Sequence, residues 1–127
     1  MVAWTLEEFN EKKPKSFIVD DISNFLSFLD RQRDKAEINY DEVKDQLNEQ
    51  LDFVILEKKS NNKCTVAEAK SQATQDQRYK DVQKRFRDAK KVYLYWKSLA
   101  KNGLSHCDNL KTETINQLAI DKLTTRG

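Results

Sequence analysis

The chain carries few residues suited to covalent chemistry. Its single histidine, His106, stands beside Cys107 and Asp108. Base, thiol and acid in a row suggest a catalytic or metal-binding trio. On a helix, however, adjacent side chains point in different directions, so the three do not converge. No second cluster supplies further ligands, and His106 reads as structural. The paired carboxylates Glu7/Glu8 and Asp20/Asp21 fall where helices are expected to start, and there they complement the helix dipole. No GxGxxG, P-loop, HExxH or GxSxG pattern occurs. The residues point to a protein that is not an enzyme and that needs no metal or cofactor.

Charge segregation is the stronger chemical signal. From Glu37 to Asp52 there are six acids and one base, Lys44. From Arg78 to Lys101 there are nine bases and two acids, Asp81 and Asp88. Part of this asymmetry is expected to be used internally, the acidic stretch lying against Arg78 to Arg85 and specifying an antiparallel helix pair. Arg87, Lys90, Lys91, Lys97 and Lys101 are left over, and the segment expected to face them holds Arg31, Arg33 and Lys35. Basic side chains near aromatic ones suit single-stranded nucleic acid, through phosphate contacts and base stacking. Tyr95 is the aromatic candidate for stacking. Tyr93 and Trp96 fall on a heptad seam and are expected in the core or an oligomer contact.

The elements that must position these residues are helices. Between Lys15 and Asn102 lie 88 residues without glycine or proline, and only Pro14, Gly103 and Gly127 punctuate the chain. Folds rich in tight turns need many such residues, whereas long helices exclude them. Thr5 and Glu8 form a capping box, with Trp4 and Phe9 placed as a hydrophobic staple, which predicts a short helix over 6–12 stopped by Pro14. An extended link to Val19 precedes a long helix over 21–58, capped by Asp20 or Asp21. Its stripe from Ala36 through Tyr40, Val43, Leu47 and Leu51 to Val54 has spacings of 3 and 4. Lys58 to Cys64, with Asn61 and Asn62, reads as a turn. A second capping box, Thr65 and Glu68, opens a helix over 66–102, with Gly103 at its C-cap. Leu104 to Leu123 reads as a weaker helix or a kinked continuation, followed by a frayed tail from Thr124. With the turn at Asn61 and Asn62, Glu37 falls opposite Phe86 and Asp45 opposite Arg78.

The expected fold is thus all-α: one domain over 1–127, a long antiparallel helical hairpin with a short N-terminal and a C-terminal helix. The run Val92 to Trp96 is apolar on every side of its helix, which calls for a surrounding bundle and favours a homo-oligomer. Two separated cysteines, Cys64 and Cys107, suit free thiols in a reducing compartment. No apolar run approaches the roughly 20 residues of a membrane span. The opening Met-Val-Ala-Trp-Thr-Leu-Glu-Glu lacks the basic start and apolar stretch of a signal peptide, so a cytoplasmic protein is expected.

Short strings resemble a known family. Leu6-Glu-Glu-Phe-Asn-Glu-Lys-Lys followed by Ser16-Phe-Ile-Val-Asp-Asp-Ile looks like the opening of phage recombination mediators of the UvsY type. Glu68-Ala-Lys through Asp76, and on to Tyr93-Leu-Tyr-Trp-Lys, resembles the second long helix of such proteins. The resemblance covers most of the chain in layout. It implies a small helical homo-oligomer in the host cytoplasm that binds single-stranded DNA. Such a protein loads a recombinase onto strands covered by single-strand-binding protein. The family's basic K-x-R element on the first long helix has no direct counterpart. Leu56-Glu-Lys-Lys-Ser occupies that region and offers Lys58 and Lys59. The competing expectation is a protein-only interaction module, such as a small phage inhibitor or adaptor of a host protein.

Overall fold

A computed structural model describes residues 4–61 and 63–126. Asn62, part of the expected turn, lies outside the described residues, as do Met1 to Ala3 and Gly127. Four helices follow one another: α1 (Leu6–Lys12), α2 (Val19–Asn61), α3 (Val66–Thr74) and α4 (Gln77–Arg126). Among the described residues there is no strand, and no helix is long and apolar enough to cross a membrane. The long helices α2 and α4 pack against each other as a hairpin. The chain divides into two compact units, Met1–Asp34 with Leu94–Gly127, and Lys35–Tyr93.

The first unit contains α1. Thr5 caps it as its sequence predicts, the hydroxyl accepting the Glu8 amide at 3.1 Å. Lys13, ahead of Pro14, turns extended and ends the helix. Trp4 does not simply staple α1. It stacks on Phe28 at 4.8 Å between ring centroids and leans on Trp96 at 5.6 Å, while Phe9 meets Phe25. Ile22, Phe25, Leu29, Leu99, Cys107 and Leu110 complete the core of this unit. Pro14 is tied down by His106, whose Nε2 lies 2.6 Å from the Pro14 carbonyl oxygen.

The second unit is built from the rest of α2, α3 and the start of α4. Val54, Ala69 and Ala73 are its fully enclosed residues. Tyr40 stacks between Phe86 at 5.3 Å and Tyr93 at 5.5 Å.

Several expected boundaries move. The first long helix begins at Val19, so Asp20 and Asp21 lie in its first turn rather than capping it, and it runs on to Asn61. The helix expected over 66–102 is interrupted at Gln75 and Asp76. There the Asp76 carboxylate accepts the Arg78 amide at 2.9 Å and starts α4 afresh. Gly103 is no cap: α4 passes through it, so the weaker helix over 104–123 and the frayed tail are one continuous helix reaching Arg126. Glycine is needed there for space. A Cβ at Gly103 would come 2.5 Å from Leu29 Cδ1. The hairpin register also differs. Phe86 meets Tyr40 rather than Glu37, and Arg78 meets Glu57 rather than Asp45. The return helix restarts at Gln77, not Val66, which moves its partners toward the end of α2.

Candidate nucleic-acid interface

In the second unit α4 turns Val82, Phe86, Ala89 and Tyr93 inward. The opposite side carries Lys80, Lys84, Arg87 and Lys91, all exposed, at spacings of 4, 3 and 4. Such spacing places them on one face, over roughly 16 Å of helix. Among the described residues no carboxylate pairs with any of the four; Arg87 donates only to the Gln83 amide oxygen at 2.9 Å. Asp88 stands four residues after Lys84 and three before Lys91, and Asp81 three before Lys84, so like-charge repulsion along the row is partly offset and the face stays net positive.

Of the pairing expected between the acidic stretch and Arg78 to Arg85, Glu49 and Arg85 line one cavity, but among the described residues no ion pair joins the two stretches. Arg78 is engaged by Glu57 at 2.8 Å and by Asp76 at 3.0 Å. These hydrogen bonds hold both carboxyls below the usual carboxylate range and push the Arg78 guanidinium upward. Asp41, Asp45 and Asp52 remain exposed on α2, with no ion pair among the described residues.

The other candidates of this unit divide. Lys35, Lys59 and Lys90 are exposed. Lys58 is half-buried and lies 3.4 Å from Asp76, which occupies its charge. Tyr93 is turned against Tyr40. In the first unit Arg31, Lys97 and Lys101 are exposed, whereas Arg33 lies 3.4 Å from both Asp30 and Asp34. Trp96 is 2% exposed, in the core, while Tyr95 is 41% exposed and presents a ring to solvent. Lys97, Lys101 and Arg33 rim a groove of about 540 Å³ whose apolar lining includes Leu26, Leu94 and Leu104.

Sequence reasoning counted Lys80 and Lys84 among the bases but left them out of the candidate surface, having assigned that stretch to internal pairing. The 4-3-4 spacing, out of phase with the apolar stripe, was the signal that identifies them. The His106 trio does not converge. His106 binds the Pro14 carbonyl, and burial, with the nearby Asp108 charge, raises the Cys107 thiol pKa. Among the described residues no three His, Cys, Asp or Glu side chains are placed to hold a metal. No protein-family model, curated protein or solved structure matches the chain.

Proposed function

We propose that this is a non-enzymatic accessory protein that binds single-stranded DNA along the outer face of α4 and works as a helical homo-oligomer. The observation that carries it is the row Lys80, Lys84, Arg87 and Lys91: four exposed bases on one helix face, none of them in an ion pair among the described residues. Phosphates are the ligand that repays such a row, because binding them releases counterions. Tyr95 offers a sequence-tolerant stacking surface in the other unit. The likeness of its strings to phage recombination mediators supports a narrower role. The protein would act in the host cytoplasm, loading a recombinase onto strands held by single-strand-binding protein.

The test is binding of a labelled oligonucleotide at 50 and 200 mM salt. Four phosphate contacts give a log–log slope of about −2.8, hence about 50-fold weaker binding at the higher salt. Reversal of the row by K84E/R87E/K91E is expected to abolish binding while helicity is kept. Absence of binding at low salt sinks the proposal. The alternative, a protein-only module that acts as an inhibitor or adaptor of a host protein, draws on the exposed Ile38, Phe53 and Leu56 of α2. It predicts no strand binding at either salt.

A further inference from the structure

The basic row can hold phosphates, but phosphate contacts carry no information about the base. A second cavity, of about 610 Å³, lies in the first unit between α1 and the start of α2. That size is within the roughly 300–1,000 Å³ of small-ligand sites. Its lining joins three rings, Trp4, Phe25 and Phe28, to three polar side chains, Lys12, Asp21 and Asn24.

Asp21, Asn24, Phe25 and Phe28 stand at spacings of 3, 1 and 3, which puts them on one face of α2. Trp4 lies along the two phenylalanines, its ring plane 16° from that of Phe28 at 4.8 Å and 20° from that of Phe25 at 6.3 Å. It stays half-buried rather than enclosed. Lys12, Asp21 and Asn24 are exposed, and among the described residues none of them has a hydrogen bond or an ion pair. Lys12 and Asp21 thus line one space with opposite charges and do not meet. Asp21 serves the helix dipole where it stands. Asn24 has no such role: asparagine is a poor helix former, and its amide makes no bond back to the backbone.

We propose that this cavity takes one nucleotide of the bound single strand, with a base that carries an exocyclic amine, cytosine or adenine. The base stacks against the Trp4 and Phe28 rings. The Asp21 carboxylate accepts from the amine of cytosine, and the Asn24 amide pairs with the amine and ring nitrogen of adenine. Lys12 meets the phosphate of the same nucleotide. Thymine has a carbonyl oxygen where the others have the amine, and it sets that oxygen against the carboxylate. This inference rests on the strand binding proposed above and adds a base preference to it.

The test titrates dCMP, dAMP and dTMP into the whole chain at low salt. NMR follows the indole N–H signal of Trp4, assigned with W4F. Saturable shifts are expected, with dCMP and dAMP bound roughly tenfold more tightly than dTMP. K12A weakens all three. D21A/N24A removes the preference and keeps helicity, since both positions are exposed. Oligo-dC is likewise expected to outcompete oligo-dT on the wild type and not on D21A/N24A. A Trp4 signal that none of the nucleotides moves, equal binding of dTMP, or a preference that survives D21A/N24A overturns the inference. K84E/R87E/K91E is expected to lose the strand yet keep the response to free nucleotides, so the cavity and the row fail separately. A response to free nucleotides in a wild type that binds no oligonucleotide overturns the strand as their source.

Discussion

Arg78 grips Glu57 with both ends of its guanidinium, Nη1 donating to Oε2 at 3.1 Å and Nη2 to Oε1 at 2.8 Å. The fork ties the first turn of α4 to the last turns of α2. The same side chain also donates from Nε to Asp76 at 3.0 Å, so one cation organises the end of the hairpin. Arg is suited to this because its planar fork matches two carboxylate oxygens, which lysine does not.

A pH dependence follows. Hydrogen bonds from Arg78 lower the carboxyl pKa of Asp76 and of Glu57 in the folded state. Unfolded, these groups return to about 3.9 and 4.3. Lowered folded values add stability above the unfolded ones, and that stability is lost as pH falls through the acid range. The urea midpoint of R78A is therefore expected below that of wild type at pH 7, with a gap that narrows as pH falls from about 4 toward 2. D76N, which keeps a capping side chain, should show the same closing gap. Equal gaps at both pH values would contradict this account.

Gly103 sets a second prediction. In an exposed helix interior, alanine in place of glycine gains about 1 kcal/mol. At Gly103 the new Cβ meets Leu29 Cδ1 at 2.5 Å and Phe25 Cε1 at 3.1 Å, and Leu29 is fully enclosed. Overpacking of about 1–3 kcal/mol wins. G103A is expected to destabilise by about 1 kcal/mol net. In an L29A background, itself costing about 2–5 kcal/mol, the same change should become neutral or stabilising. Additive effects in the double-mutant cycle would show that the two sites do not touch.

These two residues also show where the sequence was legible. The missing glycines and prolines, the Thr5 cap and the 3-and-4 stripe are local signals, and they announced helices and a hairpin. Gly103 misled because a glycine at a helix end and a glycine under a neighbouring leucine look alike until the neighbour is known. Asp76 was hidden for a related reason. Its capping hydrogen bond to the Arg78 amide is local, but nothing in a breaker-free run says that the helix pauses there. That pause shifted the register, so that Arg78 meets Glu57 and Arg85 comes beside Glu49. Two of the bases expected on the nucleic-acid surface, Arg33 and Lys58, lie against carboxylates, which no local pattern announced.

The two cysteines should separate by reactivity. Cys107 is buried and its thiol pKa is raised, first by burial and then by Asp108. Cys64 is half-buried in the link before α3, its Sγ 3.9 Å from the Lys58 carbonyl oxygen. A thiol reagent at pH 8 is expected to label Cys64 promptly and Cys107 only as the unit opens, since the thiolate is the reactive form. Mass spectrometry of partly labelled protein reads the order. Equal rates would place Cys107 at the surface.

The last stretch of α4 should be the least protected part of that helix. Leu110 is its final buried residue; Ile115, Leu118, Ile120 and Leu123 are all exposed. Thr112, Thr114 and Thr124 each return a hydroxyl hydrogen bond to the carbonyl four residues earlier, a habit that slightly weakens helices. A dozen residues without packing are marginal as helix in water. Amide exchange is therefore expected to be fast over 115–126 and slow over 96–110. Slow exchange over 115–126 would mean that the exposed leucines and isoleucines are covered.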